Sequence, residues 1–180
     1  MFLERVVVLV SACICLCSTA FASIVVDVNN LDDTVRYRSY KKITKWNSVD
    51  EYAVVKSVNY KNEETYFFQL WRGIRTKRLM GKTAILEIDG DKIILNKIIT
   101  EQPINQVFQR GFIQVYYLIP NEVAAKFTNA KKIAFITTTD GDKEPLPYIL
   151  NDDNIAELRR LPGLQYNDYL NDDKVNPRQG

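Results

Sequence analysis

The sequence predicts a mainly β protein, an antiparallel β-sandwich or barrel-like domain with one or two short α-helices. Three observations point there. From Ser23 onward the apolar residues fall in short β-branched and aromatic runs, turn residues interrupt those runs at short intervals, and only two stretches show helical spacing.

The elements follow in chain order. Residues 24–28 are apolar and β-branched, a first strand. Residues 35–46 mix aromatics with Arg36, Arg38, Lys41, Lys42 and Lys45, the composition of an exposed or edge strand whose cations discourage sheet-to-sheet pairing. Residues 52–60 alternate, which places Tyr52, Val54, Lys56, Val58 and Tyr60 on one face. Residues 65–71 are rich in aromatics, and in 83–88 Ala84, Leu86 and Ile88 face one way. Asp89-Gly90-Asp91 then supplies the glycine that a tight hairpin needs at positive φ. Asp140-Gly141-Asp142 repeats the device after the run 133–139, and common turn chemistry accounts for the repeat.

Residues 112–119 are apolar at nearly every position, which predicts a central strand covered on both sides and stopped by Pro120. Over 121–129 Val123 and Phe127 share a helical face, with Glu122 in the first turn. Ala130 leads back into a strand over 131–139. A second helix is predicted over 152–161, acidic at its start, with Arg159 and Arg160 at its end and Pro162-Gly163 closing it. The core should include Val54, Phe67, Leu86, Ile88, Val115, Phe127, Ile133 and Phe135. Residues 23–161 read as a single domain, and 162–180 as a polar, flexible tail.

Residues 1–22 read as a cleavable secretory signal. A head containing Arg5 precedes an apolar core over 6–17, too short to span a bilayer, and Ala20-Phe21-Ala22 places small residues at the cut. A lipoprotein box, Val10-Ser11-Ala12-Cys13, is the minor alternative; it would leave only 6–12 as apolar core. No later apolar run approaches the length of a membrane helix. The expected location is secreted or periplasmic, and a secreted chain without later cysteines or Asn-x-Ser/Thr sequons suits a bacterial envelope.

The signal holds Cys13, Cys15 and Cys17, all 3 cysteines of the chain, and histidine is absent throughout. A mature chain starting at Ser23 therefore has no thiol nucleophile, no imidazole base and no His- or Cys-ligated metal. No cofactor, metal ligand or catalytic residue is assigned. Ser39-x-x-Lys42, Ser57-x-Asn59 and Lys82-Thr83-Ala84 occur in the order of serine β-lactamase motifs. In a strand, however, Ser39 and Lys42 face opposite ways, so the lysine does not reach the hydroxyl. Gly81-Lys82-Thr83 lacks the earlier glycine of a phosphate loop, since that position is Thr76. Asp89 with Asp91, Asp140 with Asp142 and Asp152 with Asp153 read as turns and a helix start, not calcium loops.

The net charge is +2, from 24 basic and 22 acidic side chains, and implies no partner by itself. One segment stands out: Arg72, Arg75, Lys77, Arg78 and Lys82 follow Trp71 with no acidic residue among them. They are the candidate anionic-ligand residues, set against the plainer reading of a solvated edge. The leading functional expectation is a non-catalytic interaction module of the cell envelope that binds another envelope or extracellular protein. One alternative is a binder of an anionic polymer (glycan, lipid head group or nucleic acid) through that basic segment. The other is a small carboxylate-dependent hydrolase, the acid-base chemistry that the mature residue types still permit.

Overall fold

A computed structural model describes residues 24–45, 48–73, 80–98, 112–139, 145–171 and 175. The signal assignment, the second Asp-Gly-Asp turn and the residues Arg75, Lys77 and Arg78 lie outside the described residues.

The protein is built on one nine-stranded antiparallel sheet. The strands are β1 (Val25–Asn29), β2 (Thr34–Lys45), β3 (Ser48–Asn59), β4 (Glu64–Gly73), β5 (Met80–Ile88), β6 (Asp91–Ile98), β7 (Phe112–Ile119), β8 (Ile133–Thr139) and β9 (Leu146–Ile149). Their order across the sheet is β1-β2-β3-β4-β7-β6-β5-β8-β9. After β7 come helix α1 (Asn121–Ala124) and a 3-10 turn (Ala125–Asn129), and after β9 comes α2 (Asp152–Arg160).

The sheet rolls over so that its far strands pack on each other. Phe68 of β4 stacks on Phe135 of β8, ring centroids 4.0 Å apart and planes within 5°. Tyr52 of β3 meets Tyr148 of β9 edge-on at 5.6 Å. Those pairs lie four or more strands apart in the sheet order, so period-two alternation has sorted one face of every strand into a common interior. Val35 and Tyr37, Val54 and Val58, Leu86 and Ile88, and Val115 and Tyr117 are all buried there. The roll stays open, because β1 and β9 do not pair. Helix α2 packs its buried face, including Ile155, Glu157 and Leu158, against β2 and the 3-10 turn.

Several local expectations hold. The Asp89-Gly90 hairpin forms with φ of 51° and 98°, and the Asp89 carboxylate accepts from the backbone N–H groups of Lys131 and Lys132. Asn151 caps α2 by accepting from the Asn154 N–H at 3.0 Å.

Five readings change. The chain over 35–46 is an edge only in part: residues 34–38 of β2 pair with both β1 and β3, whereas 39–45 pair with β3 alone among the described residues, and Val35, Tyr37 and Ser39 alternate inward. Phe67 is not core; its position on β4 places it on the outer face, half-buried. β7 is the central strand but is sealed on one face only, since Gln114 and Tyr116 are half-buried and Leu118 is exposed. The segment 121–129 keeps α-geometry for one turn and then tightens to 3-10, which puts Phe127 in the core and returns the chain to β8.

The fifth change is at residues 162–171, which pack instead of trailing; 172–174 and 176–180 lie outside the described residues. Two 3-10 turns, Leu161–Gly163 and Tyr166–Leu170, run along the ends of β2 to β4. Lys56 donates to the Pro162 carbonyl at 2.9 Å, Tyr37 donates to the Gln165 carbonyl at 2.8 Å, and the Tyr166 N–H donates to Asn62 at 3.0 Å. Leu161, Leu164 and Val175 are buried.

Candidate functional site

Of the five basic candidates of the sequence reading, Arg72 and Lys82 lie within the described residues. Arg72 sits in β4 opposite Asp50 and Ile113, and Lys82 is exposed in β5; strands β7 and β6 lie between.

A different set converges on the outer face of the sheet. Arg36 and Arg38 are two apart in β2 and therefore share that face. Register carries the strip onward: Arg38 is opposite Val55, Val55 is opposite Phe67, and Gln69 is opposite Tyr116, which in turn is opposite Ile98. Asp27 of β1, opposite Arg36, completes the rim. Together these side chains line a groove of about 350 Å³.

The groove is dominated by donors. Arg38 pairs with Asp27, but its Nε is buried and has no hydrogen-bond partner among the described residues. A buried donor left in that state costs about 1–3 kcal/mol. Arg36 reaches Asp32 at 3.7 Å with both groups about half exposed, so solvent screens the pair. The Tyr116 hydroxyl accepts from the Gln69 amide at 2.9 Å and the Gln114 amide at 2.6 Å. Both lone pairs are thus used, which leaves the phenolic proton to donate. Burial pushes the Tyr116 phenol above its usual 10.0, and Arg36, Gln69, Arg38 and Gln114 oppose the rise. Phe67 meets the Tyr116 ring edge-on at 6.2 Å and fixes its position.

A second polar group lies inside the roll. Ser39 donates to the Glu157 carboxylate; the Glu157 side chain is 2% exposed, and its Oε1 has no partner among the described residues. Burial holds this carboxyl above its usual 4.5, against the pull of Ser39, Asn154 and Arg160, with Asp153 adding to the rise. Among the described residues no three acidic, His or Cys side chains gather as a metal site would require.

The raised carboxyl has a consequence for stability. Well below 4.5 the folded and unfolded chains both hold the proton. As pH rises past 4.5 the unfolded chain releases it first, so the stability that Glu157 contributes in acid is lost as pH climbs through the folded value. Glu157→Gln has no such loss. The melting temperature of the variant relative to the parent should be level in acid, climb above about pH 4.5 and then flatten. A flat difference across the whole range would show that Glu157 ionises in the fold without penalty.

No protein-family model, curated protein or solved structure matches the chain.

Sequence reasoning placed Arg36 and Arg38 among the cations of an exposed or edge strand and named none of their groove partners. Phe67 was assigned to the core and Tyr116 to a strand covered on both sides. The signal that would have separated them was present: Phe67 and Gln69 in β4, and Gln114 and Tyr116 in β7, are alternate positions, and each pair includes a glutamine.

Proposed function

We propose that this protein is an exported, non-catalytic binding module whose ligand-contact surface is the outer-face groove formed by β1 to β4, β7 and β6. The observation that carries this reading is the convergence of Arg36, Arg38 and the Tyr116 hydroxyl over an apolar floor of Val55, Phe67 and Ile98. Donors prepositioned on paired strands, beside apolar surface, are what a binding site for an anionic group requires. Support for export comes from the leader-like residues 1–22 and from the confinement of every cysteine to them. The carboxylate hydrolase finds less support, because Glu157 is enclosed between α2 and β2.

Native mass spectrometry of the exported protein, purified at low ionic strength, tests the reading. The parent mass should begin at Ser23 and include a noncovalent anionic adduct. The double variant Arg36→Gln, Arg38→Gln should have the same polypeptide start and no adduct. An adduct retained equally by the variant would remove the groove as the contact surface. A chain beginning at a lipid-modified Cys13 would overturn the soluble exported form.

A further inference from the structure

Charge, donor count and shape together narrow what the groove accepts. Among the lining residues Arg36 and Arg38 contribute two positive charges and Asp27 one negative, a single positive charge in surplus; Asp32, 3.7 Å from Arg36 and outside the lining, is about half exposed and screened by solvent. That balance suits one anionic group. A phosphate dianion or a polyanion would bring charge the lining does not match.

The geometry of the donors is equally selective. The Arg36 guanidinium, the Arg38 guanidinium, whose side chain is 24% exposed, and the O–H of Tyr116 are donors, and the acceptor among the lining charges is Asp27, already engaged by Arg38. Guanidinium groups match the planar pair of oxygens in a carboxylate, and a third donor from a phenol fixes its orientation. Of the rest of the lining, Val55, Phe67 and Ile98 are apolar, and Gln69 has its amide N–H engaged by the Tyr116 hydroxyl. The volume, about 350 Å³, lies at the small end of ligand sites.

We propose that the groove receives a free small monocarboxylate with a flat apolar body, its carboxylate on Arg36, Arg38 and Tyr116 and its apolar part on Phe67, Val55 and Ile98. This rests on the binding-module reading above and names the ligand class for the same site.

Calorimetric titration of the exported protein tests it with four probes: naphthoate, its neutral isostere naphthamide, acetate and inorganic phosphate. Naphthoate should bind saturably at one site. Naphthamide, which lacks the charge, and acetate, which lacks the body, should each bind at least roughly tenfold more weakly, the worth of one charge-assisted contact or of a small buried apolar face. Arg38→Gln should weaken naphthoate by roughly tenfold or more. Tyr116→Phe keeps the ring and should weaken it roughly three- to tenfold, which guards against a variant of Arg38 that merely unsettles β1. Equal binding of naphthamide, tighter binding of phosphate, or unchanged binding in both variants would overturn the proposal. The two readings fail differently. If no carboxylate binds while the native adduct still disappears in the double arginine variant, the ligand class is wrong and the module stands. If the adduct survives in that variant, the groove reading itself falls.

Discussion

Replacing Phe68 by alanine should destabilise the protein by about 4 kcal/mol, the upper part of the range for removing a buried aromatic ring. Phe68 is fully buried where β4 crosses β8, stacked on Phe135 at 4.0 Å, with Tyr117, Tyr52 and Tyr148 each about 6 Å away. Rings anchored on separate strands do not slide into the vacated volume, so the cavity persists. Phe67, the next residue, faces the outer groove and is half-buried. Its replacement by alanine should cost only about 1 kcal/mol. Urea unfolding separates them: Phe68→Ala should lower the midpoint sharply with little change in slope. Equal losses for the two variants would show that the interior is not organised around the β4–β8 crossing.

The second large effect concerns a lysine with no exposed surface. Lys56 Nζ lies 2.5 Å from Glu64, donates to the Pro162 carbonyl at 2.9 Å and stands 5.5 Å from the centre of the Tyr66 ring. The Tyr66 hydroxyl also donates to Glu64 at 3.1 Å, and burial followed by that carboxylate pushes the phenol above its usual 10.0. Glu64→Ala would leave the ammonium buried with one neutral acceptor. Breaking a buried pair costs about 3–5 kcal/mol, and because Glu64 is about one-third exposed, a loss of about 2–3 kcal/mol is expected here. Lys56→Met combined with Glu64→Gln removes the charge and keeps the volume, and should recover most of that loss. Chemical denaturation of the two variants decides the matter. If the double variant were as unstable as Glu64→Ala, the role of Lys56 would be its grip on Pro162, which tethers the C-terminal segment, and not the ion pair.

How legible the molecule was varied with the range of the interaction. The hairpin at Gly90 is local, set by one residue that tolerates positive φ, and it was read from three letters. Tyr52, Val54, Lys56 and Val58 of β3 and the interior residues of β5 were read equally well, since alternation names a face without reference to any partner strand, whereas Tyr60, read onto the same face, lies in the turn after β3 and is exposed. Helix α2 was located from its acidic start and its two terminal arginines. The ordered C-terminal segment was not, because its anchors are hydrogen bonds to Tyr37, Lys56 and Asn62, more than a hundred positions away.

The groove shows the same division. That Arg36 and Arg38 share a face follows from their spacing, and that the fold is mainly β follows from period-two runs and turn chemistry, both properties of neighbouring residues. Which side chains stand beside those arginines depends on strand order. β4 pairs with β7 across the intervening β5 and β6, and that crossover delivers Tyr116 to Gln69 and to the arginines. A strand's two faces are chemically defined by its own residues, but its neighbours are chosen by the packing of the whole sheet. The conversion of an aromatic run into one wall of an outer-face groove was therefore a decision of tertiary structure.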